Sequence, residues 1–242
     1  MGWLGAGMMA GLDVLLPRRC AHCKRHLNVS GPLCLACFRL LEMCRIPNWE
    51  LPGFTPAGRP IRGISYYRRG SPLRAVHRIA KFGQSESCAH WLGQYAARRL
   101  VTMNLQKDLL IQGVPSHPAS LRDRGLDIVG SLALALAHRV GGTRVKLVCR
   151  ARLGIPQNHL DRDGSIANVG TAFRVGPDTA TLEQSRIILI DDVVTTGATL
   201  DACAQVLEAC GHTVSLVALA FRREMFALPG EGQSERRTSD QR

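Results

Sequence analysis

The sequence predicts an α/β protein, a mostly parallel sheet flanked by helices, preceded by a small cysteine-rich module. Three observations carry that expectation. Short apolar runs at residues 63–67, 109–114, 145–149, 186–190 and 214–219 alternate with helical patterns of ten residues or more, which is the arrangement of βαβ units. The run Ile187-Ile188-Leu189-Ile190 is apolar throughout, as a strand covered on both faces requires. Five of the nine cysteines fall between Cys20 and Cys44, ahead of the first such run.

Composition narrows the function classes. With 242 residues, 45% apolar and 5% aromatic, the chain has a globular balance and enough length for one ordinary domain plus something smaller. No apolar run reaches the roughly 18 residues of a membrane-spanning helix, so no membrane span is expected. The 31 Lys+Arg against 19 Asp+Glu leave a net charge of +12, which calls for an acidic partner: nucleic acid, a phosphorylated metabolite or anionic lipid.

The elements follow in chain order. Leu4, Met8, Leu12, Leu15 and Leu16 share one face of a short N-terminal helix. No basic residues precede it, which argues against a secretory signal and for a cytoplasmic chain with reduced thiols. Cys20-x2-Cys23 and Cys34-x2-Cys37 are two C-x2-C pairs separated by ten residues. Two such turns aim four thiolates at one point, which supplies a closed tetrahedral site for structural Zn2+. His22 and His26 are expected to be solvent-exposed, Cys44 to be a bystander, and the four later cysteines to be small buried hydrophobes.

Residues 1–46 are thus expected to form the helix and zinc module. The Pro- and Gly-rich residues 47–61 read as a linker, 62–226 as the main domain and 227–242 as a disordered tail. Within the main domain, helices are expected over 72–82, about 87–103, about 127–140 with Gly141-Gly142 as the stop, and 200–209. Residues 150–173 carry little periodicity and read as a functional lid or disordered loop.

The most informative segment is Arg186-Ile-Ile-Leu-Ile-Asp-Asp-Val-Val-Thr-Thr-Gly-Ala-Thr199. A buried strand ends in Asp191 and Asp192, a small hydroxylated loop follows, and a helix begins; ligands of open α/β sheets bind at such strand ends. Thr195, Thr196, Gly197, Ala198 and Thr199 offer backbone N–H groups and hydroxyls to a phosphate, helped by the helix dipole. Asp191 and Asp192 lie too near that phosphate to hold a second anion, and are suited to accept hydrogen bonds from sugar hydroxyls. No Gly-Lys-Ser/Thr is present, so this is not a Walker A loop.

These residues resemble the ribose-phosphate signature of type I phosphoribosyltransferases. The resemblance implies that the acids hold the 2′ and 3′ hydroxyls of 5-phosphoribosyl-1-pyrophosphate, that the Thr/Gly loop holds its 5-phosphate, and that Mg2+ accompanies the donor. The wider order of motifs is similar to the ComF family of competence-associated, phosphoribosyltransferase-like proteins. It comprises the paired C-x2-C turns, Lys81-Phe-Gly, Val114-Pro115, Leu121-Arg122-Asp-Arg124-Gly125, Gln157-x2-Leu160-x-Arg162 and Asn168, and covers about residues 12–222. Where that family usually continues Arg-Gly with Phe-Asn-Gln, this chain has Leu126-Asp127-Ile128, which removes an amide and adds a negative charge.

Lys81, Arg122, Arg124, Arg150, Arg152 and Arg162 are the cations expected to steady a departing pyrophosphate. Two functions from different classes follow: a phosphoribosyl transfer enzyme of unread acceptor, and a competence or DNA-uptake protein that handles single-stranded DNA or binds a competence protein. For the second, the charge at Arg18, Arg19, Lys24 and Arg25 and on Arg98 and Arg99 supplies the electrostatics, and Tyr66 and Tyr67 supply stacking surface.

Overall fold

The computed structural model describes residues 18–46, 50–100, 109–118, 121–122, 125–150, 172–176 and 182–222. The N-terminal helical pattern, most of the 150–173 segment and the tail lie outside the described residues, as do Arg124, Arg152, Gln157, Arg162 and Asn168.

The order of elements is α1 (Leu35–Met43), β1 (Glu50–Phe54), β2 (Pro60–Tyr66), α2 (Pro72–Phe82), α3 (Glu86–Leu100), β3 (Leu110–Gly113), α4 (Ile128–Val140), β4 (Thr143–Val145), β5 (Val148–Arg150), β6 (Phe173–Val175), β7 (Arg186–Val194), α5 (Ala198–Ala209) and β8 (Thr213–Phe221). Six strands form one sheet in the order β1-β2-β8-β7-β3-β4. Every neighbouring pair is parallel except β1 with β2. The expected mostly parallel sheet with flanking helices is therefore what the chain forms. Among the described residues, no helix is long and apolar enough to cross a membrane.

The core divides along the sheet. Ile188, Ile190, Val217 and Leu219 face α2, α3 and α4, while Ile187, Leu189, Leu216 and Ala218 face α5 and the β5–β6 ribbon. This is the period-2 alternation of a strand covered on both sides. Helix boundaries follow local chemistry. Ser71 caps α2 through the Arg74 N–H at 3.3 Å, and Pro72 sits in the first turn, where its missing N–H is not needed. Gly141 ends α4 in the left-handed conformation, φ 68°.

Three elements differ from the sequence expectation. Residues 50–54, in the segment read as a linker, add an antiparallel edge strand, and β2 starts at Pro60. The run 145–149 is not one strand: β4 belongs to the main sheet, and β5 pairs with β6 in a separate antiparallel ribbon. The buried Gln112 holds that break, its Oε1 accepting the Leu147 N–H at 2.6 Å and the Val148 N–H at 3.4 Å. The second C-x2-C pair lies at the start of a helix rather than in a free turn, with Cys34 the N-cap of α1 and Cys37 in its first turn.

Candidate functional site

β7 is flanked on both sides by parallel partners, so its C-terminal end opens between the ends of β3 and β8. A cavity of about 230 Å³ sits there, lined by Asp191, Asp192, Thr199, Lys81 and Arg150, with the Val114-Pro115-Ser116-His117 turn after β3 opposite. Leu121, Leu126, Ile128 and Val129 make its apolar wall. The β7–α5 segment and α2 thus bring Asp191, Asp192, Thr199 and Lys81 together from two separate stretches of chain.

The two acids part at the strand's end. Asp192, buried, turns toward α2: it accepts the His77 Nε2–H at 2.8 Å and the Lys81 ammonium at 3.2 Å. With Nε2–H donated, His77 Nδ1 accepts the Tyr67 hydroxyl at 3.0 Å, completing a chain of four polar side chains. Burial opposes ionisation of Asp192, but the His77 hydrogen bond and the Lys81 charge outweigh it and hold this carboxyl below the usual carboxylate range. Asp191 is half-buried on the other side, where its field reaches Arg150 and Cys203. Burial and the adjacent Asp192 charge push its carboxyl up to about 8. One acid is therefore an anion with two partners, and its neighbour a carboxyl in want of positive charge.

The loop between β7 and α5 is tightly seated. Gly197 is the N-cap of α5 with φ 75°, and a Cβ there would lie 2.8 Å from Ile61 Cδ1 and 3.3 Å from Thr55 Cα, so only glycine fits. Thr196 Oγ1 accepts the Ala198 N–H at 3.3 Å. α5 begins at Ala198, two residues earlier than the periodicity indicates, which puts Thr199 in its first turn with the helix N-terminus at the cavity. Asp201, also in that turn, is buried and occupied, accepting Thr55 Oγ1 at 2.7 Å and the Arg59 guanidinium.

Arg150 donates Nε–H to the Pro115 carbonyl at 3.0 Å, and its guanidinium stacks 4.8 Å from the Phe173 ring centre. Burial pulls its pKa below the usual arginine value. Arg122 is exposed and does not line the cavity. Asp127, the acid of the departing Leu-Asp-Ile turn, caps α4 by accepting the Gly130 N–H at 3.0 Å and the Ser116 hydroxyl at 3.2 Å. Its charge thus meets the positive end of a helix, and Leu126 and Ile128 are what the turn presents to the cavity. Sequence reading missed His77 and the Tyr67 hydroxyl. Their signal was weak, one histidine on the apolar face of an amphipathic helix, a position that packing alone explains.

In the N-terminal cysteine module, the Sγ atoms of Cys20, Cys23, Cys34 and Cys37 lie within 4.8 Å of one another. Cys23 and Cys34 Sγ are 3.6 Å apart, close to the ~3.8 Å edge of a tetrahedron with 2.3 Å metal–sulfur bonds. Cys20 is held at about 6: burial works against its thiolate, and the N–H groups of Cys23, Cys34 and His22 overcome it. Cys37 is pushed far up by burial and by the other three thiols. Crowded thiols that cannot all ionise together fit a soft divalent cation. His22 is not the free surface residue expected: its Nε2–H reaches the Gly70 carbonyl at 2.7 Å and its Nδ1 lies 3.2 Å from Cys37 Sγ. His26 is exposed, as expected.

No protein-family model matches the chain. It is similar to adenine phosphoribosyltransferase of Corynebacterium diphtheriae, 34% identical over 91 residues, covering 38% of this chain and 49% of that protein. Adenine phosphoribosyltransferase of Corynebacterium efficiens is 32% identical over 115 residues, covering 45% and 59%. The chain thus spans about half the length of the curated relatives it matches. Among solved structures, adenine phosphoribosyltransferase from Trypanosoma brucei in complex with AMP, pyrophosphate and ribose-5-phosphate aligns at a TM-score of 0.39 and 17% identity, covering 86% of this chain and 87% of that one.

Proposed function

We propose that the protein is a phosphoribosyltransferase of the type I kind that binds 5-phosphoribosyl-1-pyrophosphate with Mg2+ in the cavity at the end of β7. The observation that carries the reading is one juxtaposition: two adjacent acids at the end of a central parallel strand, and Thr199 in the first turn of the helix that follows the Thr/Gly loop, line a cavity of about 230 Å³ together with Lys81 and Arg150. The similarity to two adenine phosphoribosyltransferases supports it.

In this reading the Thr195–Thr199 backbone and hydroxyls take the 5-phosphate, with the α5 N-terminus supplying positive potential. Asp191 faces the sugar, and Asp192 completes the contact while keeping Lys81 aimed at the cavity. Mg2+ arriving with the donor would supply the charge that the Asp191 carboxyl lacks and neutralise pyrophosphate oxygens. Arg150 orders the Pro115 turn through its carbonyl. The apolar Leu126, Ile128 and Val129 exclude water from an oxocarbenium-like centre. The four-cysteine knuckle is a structural Zn2+ site.

The test is titration of the purified chain with the donor and Mg2+ by calorimetry. Saturable binding that Asp191→Ala weakens tenfold or more is expected; absence of binding sinks the proposal.

A second reading has its own observation. Arg18, Arg19, Lys24 and Arg25 are all exposed beside the thiols, and with the ComF-like order of motifs they favour a competence role in which this surface meets single-stranded DNA. Affinity for an oligonucleotide that falls steeply with salt and is lost in a Lys24→Glu, Arg25→Glu variant is its signature; salt-insensitive or absent binding removes it.

A further inference from the structure

A second cavity, of about 430 Å³, lies on the α2 side of the acid pair; of the loop assigned above to the donor's 5-phosphate, Thr195 alone borders it. Tyr67, Arg74, Arg78 and Arg222 wall it, and Lys81 and Asp192 form the partition it shares with the first cavity. Its charges do not balance. Three arginines and a lysine face one carboxylate, and that carboxylate is taken by Lys81 and His77. Among the described residues, no acid forms a salt bridge with Arg74, Arg78 or Arg222. The first two lie instead against rings, Arg74 5.8 Å from the centre of Tyr67 and Arg78 5.9 Å from that of Phe82.

Arg74 and Arg78 stand four residues apart on α2, a like-charge spacing that works against the helix. Arg222 arrives from a different element, directly after β8. Three guanidiniums from two elements around one opening, with no salt bridge to an acid among the described residues, suit an anion from outside. Arginine's planar fork matches a carboxylate or phosphate with two parallel hydrogen bonds.

We infer that this cavity binds the acidic group of the acceptor, so that the molecule receiving phosphoribose is a small anion bearing a carboxylate or phosphate. The inference rests on the transferase reading above. Because Asp192 and Lys81 border both cavities, a molecule held by Arg78 and Arg222 abuts the donor. Its nucleophilic lone pair forms the bond to C1 as the bond from C1 to the pyrophosphate oxygen breaks. Pyrophosphate leaves with that electron pair, and the acceptor's proton goes to solvent. A neutral acceptor would leave the guanidiniums unmatched.

Orotate and uracil differ by one carboxylate and serve as matched probes. With the full-length protein, Mg2+ and the donor present, calorimetry is expected to show orotate binding about tenfold or more tightly than uracil, the margin of a charge-assisted hydrogen bond. The double variant Arg78→Gln, Arg222→Gln removes that margin while donor affinity holds, and Arg78→Lys, Arg222→Lys restores part of it. Both side chains are exposed, so the fold tolerates these changes. Inorganic phosphate that competes with orotate points to a phosphate-bearing acceptor, and failure to compete points to a carboxylate. Equal binding of orotate and uracil, no binding of either anion, or an unchanged margin in the glutamine variant overturns the inference. Donor binding measured alone keeps the two readings apart: if the donor binds and the anions do not, only the acceptor assignment falls, and if the donor fails, the transferase reading falls with it.

Discussion

The cysteine knuckle and the acid centre are both clusters of ionisable groups, but they solve opposite problems. The knuckle gathers four like groups: backbone N–H groups draw Cys20 down, while burial and the other three thiols push Cys37 up. The acid centre gathers unlike groups: Asp192 meets His77 and Lys81 within 3.2 Å, so its charge is balanced from within the chain. Only Asp191, one residue earlier, is left in the knuckle's condition.

That contrast is broken most severely at the knuckle. Cys37→Ser, or treatment with a strong chelator, is expected to produce the largest loss of thermal stability, since structural zinc is worth on the order of ten kcal/mol in small modules and Cys20, Leu33, Cys37 and Leu41 belong to the same buried cluster as α2 and α3. Differential scanning calorimetry with and without metal checks it, and a chelator-insensitive melting curve would falsify the zinc assignment. His77→Ala leaves Asp192 and the Tyr67 hydroxyl short of a partner; the expected destabilisation is about 2–3 kcal/mol by urea unfolding. Gly197→Ala forces a side chain into the left-handed region against Ile61, a loss of about 1–2 kcal/mol, together with weaker donor binding.

The effect that depends on pH is the most discriminating. Asp191 has its folded pKa raised, so its contribution to stability is fully present below the unfolded carboxylate value near 4 and is lost as pH rises through about 8. Asp191→Asn, which mimics the protonated form, should therefore leave the melting temperature almost unchanged at pH 3 and raise it at pH 9. An equal shift at both values would place Asp191 outside this account.

Much of this was legible locally. The cysteine spacing brings all four thiols together, and the apolar run into Asp191-Asp192 and the Thr/Gly loop occupy the strand end that the pattern indicates. What the sequence did not disclose was assembly over distance. His77 joins Asp192 across 115 positions of chain, and Gln112 spans the break that divides β4 from β5, so neither contact leaves a periodic trace. The edge strand at 50–54 escaped notice because Pro52 and Gly53 read as linker; an edge tolerates them since one side of its ladder is free. His22 was read as a surface residue because nothing in Cys-Ala-His-Cys announces Gly70, 48 residues away.

The parallel register of β7 with β8, which sets Ile190 beside Val217 and Asp191 beside Ala218, has a consequence beyond packing. Since neighbouring carboxylates at the strand tip go to opposite faces, a slip of one position would exchange their roles. The acid now tied to His77 would turn toward Arg150 and Asp191 would turn toward His77, while the Thr/Gly loop would move by one residue against the sheet. The alignment of two apolar strands therefore decides which of two chemically identical side chains is tied to His77 and which is not, and hydrophobic residues act as its selectors.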